Sequence, residues 1–253
     1  MGKRLTAALA LFFAVLTAAQ AVERPAFDPK IGAQLSLDKP FRDQSGATAT
    51  LGDILAGRPA LLIFGYDRCP NLCGLTQQAV ASDLNKTGLD PSNYRALFVS
   101  IDVTETQEDA AAARAGVADA TDAKGLSAWR FLTSPDGAAA ALAAQAGISF
   151  DTRPRIDQFV HPIAVLALTP GGQIAQVLPA LSFEPRDLRL ALVEASAGKL
   201  GSVADHVFLL CAGFDSSKGQ YTPAIWAALK LGAVATVLAL ATAVLALSWR
   251  RRA

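Results

Sequence analysis

The chain has 253 residues, with 23 Lys and Arg against 22 Asp and Glu, two His and three Cys. So even a charge balance, with no basic run before the tail, excludes a nucleic-acid-binding surface. Roughly 200 residues lie between two apolar ends, enough for one domain with its own core and no need of disulfide staples.

Met1-Gly2-Lys3-Arg4 is basic, and the apolar stretch Leu5–Ala18 leads to Ala19-Gln20-Ala21, a small-x-small cleavage pattern. Residues 1–21 are therefore expected to be a secretory signal. The alternative is an uncleaved anchor, since Leu5–Ala21 is only slightly short of a span. Residues 22–34 form a polar, Pro-containing lead-in, and the folded domain is expected over 35–197. Gln34–Asp38 and Thr48–Leu51, joined through Asp43-Gln44-Ser45-Gly46, predict a hairpin. Strand Ala60–Gly65, helix Pro70–Leu84, strand Ala96–Asp102, helix Thr106–Ala118, strand Ala128–Thr133 and helix Gly137–Gln145 then alternate. Ile163–Leu168 and Gln173–Leu178 flank Thr169-Pro170-Gly171-Gly172, which is hairpin chemistry, and helix Glu184–Ala197 closes the set. The alternation predicts an α/β domain with a partly parallel sheet and an antiparallel edge.

Residues 198–224 read as a membrane-proximal stalk, with Val203–Leu210 able to form an amphipathic helix and Gly213–Pro223 a polar, flexible linker. Ile225–Trp249 carries one charge, Lys230, and is long enough to cross about 30 Å of hydrocarbon. This predicts a single transmembrane helix with Trp226 and Trp249 at its interfaces and the tail 250–253, Arg-rich, in the cytoplasm. The domain would then lie outside the cytoplasm. In that oxidising setting three cysteines cannot all be paired within the chain.

Cys69 and Cys73 stand four apart where strand Ala60–Phe64 gives way to a helix, with Pro70 as its expected first residue. On a helix such a pair has Cβ atoms about 5–6 Å apart, whereas a disulfide wants about 3.8 Å. Metal capture tolerates the wider gap better, without forbidding a disulfide. A cysteine at a helix start also faces the positive end of the dipole, which favours the thiolate at Cys69. His161, before Pro162 and an apolar strand, belongs to the end of the sheet that should carry the cysteines. Two thiolates and an imidazole suit copper, with sulfur favouring Cu(I) and imidazole helping with Cu(II). The plainer alternatives are an inert or disulfide-bonded cysteine pair and a hydrogen-bonded histidine. Asp102, at its strand end, reads first as a turn former and otherwise as support for the site. Asp67 and Arg68 flank Cys69, either tuning it or lying in an ordinary loop. Cys211 reads as a small buried hydrophobe, with a mixed disulfide or a fourth ligand as alternatives, and His206 as interfacial polar decoration.

The segments FGYDRCPNLCGLT, FVSIDVTETQED and FVHPIAVLALTPGGQIAQVL, in this order, resemble the Sco/SenC family of thioredoxin-like copper chaperones over about residues 35–198. LLCAGFDSSKGQYTP followed by an apolar span is similar to a bacterial branch with a C-terminal anchor. The resemblance implies a thioredoxin-like fold, a central mixed sheet flanked by helices, with Cys69, Cys73 and His161 as the three copper ligands. It also implies copper delivery to the dinuclear copper centre of cytochrome c oxidase. The partners would be the oxidase's copper-centre subunit and a copper donor protein, and the setting the bacterial inner membrane with the domain in the periplasm. Two departures stand out: Gly74 where the family often has Pro, and Val160 where it often has Asp. The missing acid should weaken orientation of the imidazole. His161-Pro162-Ile163 falls where thioredoxin folds commonly place a cis-proline, which raises the alternative of a thiol-disulfide oxidoreductase using Cys69 and Cys73 as its redox pair.

Overall fold

The computed structural model describes residues 27–70, 72–153, 158–179 and 182–198, and further on 214–215, 220–221, 231–234 and 236–237. The expected signal 1–21, His206, Cys211 and most of the expected span Ile225–Trp249 lie outside the described residues. Among the described residues no helix is long and apolar enough to cross a membrane.

The elements follow in order: β1 (Pro40–Asp43), β2 (Thr48–Thr50), α1 (Leu51–Leu55), β3 (Ala60–Gly65), α2 (Leu72–Lys86), β4 (Arg95–Ser100), α3 (Gln107–Ala118) and α4 (Ala123–Leu126). After them come β5 (Trp129–Thr133), α5 (Ala138–Gln145), β6 (Asp151–Arg153), β7 (Gln158–Val160), β8 (Ala164–Leu168), β9 (Ile174–Pro179) and α6 (Pro185–Ser196). The main sheet has seven strands in the order β2-β1-β5-β4-β3-β8-β9. β3, β4 and β5 run parallel, β8 lies antiparallel on β3, and β9 forms the antiparallel edge. All six residues of β3 are buried, as its unbroken apolar run requires of a central strand. α6 lies over β8, β9 and β3, α3 over β5, and α2 packs against both α3 and α6. The core holds Trp129, Phe41, Phe98 and Phe131, with the Trp129 and Phe131 rings stacked at 5.7 Å. The whole is a mixed α/β domain with a central mixed sheet flanked by helices.

Helix starts follow local chemistry. Thr106 caps α3 in a capping box with Asp109, and Glu184 does the same for α6 with Asp187, with Pro185 in the first turn. The first hairpin lies further along than expected. β1 begins at Pro40 and pairs with both β2 and β5, because Asp43 folds the turn by accepting from the N–H groups of Ser45 and Ala47. Gln34 instead forms an isolated bridge with Gln173. A short antiparallel ladder, Phe214–Asp215 with Gln220–Tyr221, occupies part of the segment expected to be a flexible linker. Two aromatics flanking a polar, glycine-containing connection are hairpin chemistry.

Candidate functional site

β3 ends at Gly65, and the chain turns through Tyr66, Asp67, Arg68 and Cys69 before α2 begins at Leu72. Two expectations are corrected here. Pro70 is a bend before the helix rather than its first residue, and Cys69 is in the loop, where its N–H donates to the Tyr66 carbonyl at 3.3 Å. The cysteine in the first turn of the helix is therefore Cys73, so neither the helical i,i+4 spacing nor the dipole argument applies to Cys69. The later start reflects the loop's own anchoring, since Asp67 and Arg68 are held by the β4–α3 turn.

Cys73 is buried and Cys69 half-buried, both as thiols. The Cys73 thiol is pushed well above the usual range, first by its hydrogen bond with Cys69 and then by burial. Gly65 is what lets Cys73 sit against the end of β3: a Cβ there would lie 3.2 Å from Cys73 Sγ and 2.7 Å from Phe98 Cζ.

His161 follows β7 directly, and its Nε2 lies 3.8 Å from Cys73 Sγ. On the other side of the ring Nδ1 is 3.1 Å from the Pro162 carbonyl oxygen. A carbonyl can only accept, so Nδ1 carries the proton and the Nε2 lone pair points toward the sulfur. Burial lowers the His161 pKa, against the opposing influence of the Pro162 carbonyl and Cys69, so the neutral ring is favoured. With Val160 in place of an acid, the group beside Nδ1 is the backbone carbonyl of Pro162. The peptide before Pro162 is trans, as are all others among the described residues, so the cis-proline reading of this turn is not met.

Sequence reasoning missed the small hairpin β6–β7, which brings His161 to the cysteines. Phe159, on β7, packs against Tyr66 at 5.3 Å and Phe150 at 6.0 Å, and Tyr66 meets the His161 ring edge-on at 6.1 Å. Tyr66 closes the other side: burial, followed by its hydrogen bond with Cys69, pushes its hydroxyl up to about 12. Period-two alternation is too short in Gln158–Val160 to reveal a strand, but the two aromatics bracketing residues 150–159 were a usable signal.

Cys69, Cys73 and His161 therefore gather at one end of the sheet. Among the described residues no three His, Cys, Asp or Glu side chains stand together at the spacing that holds an ion. Asp102 faces the loop rather than the thiols: it pairs with Arg68 at 2.8 Å and accepts from Thr104 at 2.8 and 2.7 Å. Arg68, itself exposed, is thus a strut and not a bystander. Both Asp67 carboxyl oxygens are buried, and burial, followed by the adjacent Glu105 carboxyl, raises the group to about 8. Leu72, Leu75, Val103 and Val160 are exposed apolar side chains beside these elements.

A chain of this architecture from Aquifex aeolicus VF5 is 22% identical, with a TM-score of 0.58, over 67% of this chain and 96% of that one. Arabidopsis thaliana ScoI, solved with copper bound, is 16% identical with a TM-score of 0.51, over 64% and 99%. BsSco, described as a member of the Sco family of cytochrome c oxidase assembly proteins with a disulfide switch, is 19% identical with a TM-score of 0.52, over 68% and 98%. At these identities the likeness is one of fold. No curated protein matches the chain significantly. The family model described as SCO1/SenC matches residues 31–193, well over half of the sequence, and the chain belongs to that family.

Proposed function

We propose that this protein is a membrane-anchored copper chaperone that carries one copper ion on Cys69, Cys73 and His161 to the dinuclear copper centre of cytochrome c oxidase. The observation that carries the reading is the position of His161, with Nε2 3.8 Å from the buried sulfur of Cys73 and Nδ1 against the Pro162 carbonyl, and with Cys69 hydrogen-bonded to the same thiol. Copper is the cargo. Binding displaces the Cys73 proton, which lets sulfur act as a soft anionic ligand without leaving a bare charge buried in the metal-free protein. The copper-bound ScoI and the oxidase-assembly description of BsSco support the same assignment.

Topology completes the proposal: a cleaved signal at 1–21, a span over Ile225–Trp249 and a cytoplasmic Arg-rich tail place the domain in the periplasm. A C-terminal reporter fusion active in the cytoplasm is expected, and activity confined to the periplasm would contradict it. The adjacency of the two thiols also favours a second reading, disulfide exchange with the oxidase subunit or another exported protein. Oxidase assembly in cells that carry His161→Ala separates the two. The chaperone reading expects assembly to fail while the cysteines still cycle, and normal assembly would favour the oxidoreductase.

A further inference from the structure

The loop that presents Cys69 is held by a side chain with no part in the copper set. Glu105, in the turn between β4 and α3, has a side chain exposed by 0%. Its Oε2 accepts the Asp67 N–H at 2.7 Å and the Ser100 hydroxyl at 2.5 Å, and its Oε1 accepts the Arg68 N–H at 2.7 Å. The base under Glu105 is fixed in turn. Its own N–H donates to the Asp102 carbonyl at 3.2 Å, the Asp102 N–H donates to Ser100 Oγ at 3.1 Å, and the Ile101 N–H donates to the Gly65 carbonyl at 2.8 Å. By comparison the loop's internal bond, Cys69 N–H to Tyr66, is long at 3.3 Å.

A buried carboxyl that takes two consecutive N–H groups fixes the plane of the Asp67–Arg68 peptide, and with it the direction in which the chain reaches Cys69. We propose that Glu105 is a positioning residue for the cysteine pair: by holding both N–H groups it keeps Cys69 beside Cys73 and sets the effective concentration of one thiol at the other. The inference rests on reading Cys69 and Cys73 as the working pair, and it does not depend on copper.

The test is the equilibrium of the full chain with glutathione, scored by peptide mapping of the Cys69–Cys73 disulfide. In that exchange the two protein thiols form one S–S bond, and their two electrons and two protons reduce glutathione disulfide to two molecules of glutathione. Loss of positioning lowers the effective concentration, so Glu105→Ala should reduce the equilibrium constant by about tenfold or more. Glu105→Gln keeps one acceptor but turns an NH₂ toward the other N–H, and should reduce it by about threefold. Ser100→Ala leaves both loop bonds in place and should stay within about twofold. A merely structural Glu105 would lower the melting temperatures of both redox forms together and leave the constant unmoved. An equilibrium constant within twofold of the parent in Glu105→Ala, or in Glu105→Gln if the alanine variant does not fold, overturns the inference, as does an equal loss in Ser100→Ala. Unshifted variants of a protein that binds copper would sink this inference alone. A shifted constant without copper binding would sink the copper reading alone.

Discussion

Gly65 and Asp67 are the two residues whose chemistry is most exposed to test. A Cβ at Gly65 would press on Phe98 and on the Cys73 sulfur together, and the ring, buried in the sheet, has little room to yield. Gly65→Ala should cost about 1–3 kcal/mol and lower Tm by several degrees, with copper binding weakened as well, readable by thermal melts and copper titration. Asp67 follows the opposite logic. Its carboxyl titrates near 3.8 when unfolded and at about 8 when folded, held up by burial and by Glu105. The stability this group provides is therefore fully present below about pH 4 and is lost as pH rises through 8. Asp67→Asn removes that loss, so in the copper-free protein the variant should gain on the parent with rising pH, reaching on the order of 5 °C in Tm by pH 8.5 and almost nothing at pH 4. A gap that does not change with pH would contradict the assignment. At this scale Cys69, Cys73 and His161 were legible because Cys and His are scarce and sit beside apolar runs. Glu105 was not, because one acid among Thr104, Thr106, Glu108 and Asp109 carries no mark in sequence of the N–H groups it will meet.

Elements were legible where periodicity or caps were strong. Strand β3 appears with the expected bounds because an unbroken apolar run between Pro59 and Gly65 admits little else. The start of α2 moved because Pro70 is as acceptable in a bend as at a helix start, and the contacts that decide between them come from the distant β4–α3 turn. β6–β7 escaped because three-residue strands have too little pattern to read, and their stability comes from the packing of Phe150, Phe159 and Tyr66. That dependence is testable. Phe159→Ala should loosen the hairpin that carries His161 while leaving the cysteines in place, weakening copper by about tenfold with a stability loss of about 1–2 kcal/mol. Gly74 gives the converse case. It lies exposed in the first turn of α2, where an added Cβ would meet nothing within 4 Å and φ is not positive, so Gly74→Ala should raise stability by about 0.5–1 kcal/mol and leave copper binding alone.

On the scale of the whole molecule the parts serve one arrangement. The parallel strands β3 and β4 deliver the cysteine loop and its acidic support to the same end of the sheet, and antiparallel β8 brings the His161 turn back to meet them. The sequence order of strands and helices was enough to foresee that convergence. It did not disclose the side-chain spacing at the site, since no pattern encodes such distances. Leu72, Leu75, Val103 and Val160 are exposed apolar side chains on the elements around the site. Copper titration of residues 22–220, compared across the parent and Cys69→Ala, Cys73→Ala and His161→Ala, tests the central claim most directly. The account predicts one copper per parent chain and a loss of at least about a hundredfold in affinity for each cysteine variant, with His161→Ala losing most on Cu(II). Unchanged copper binding in these three variants would contradict it.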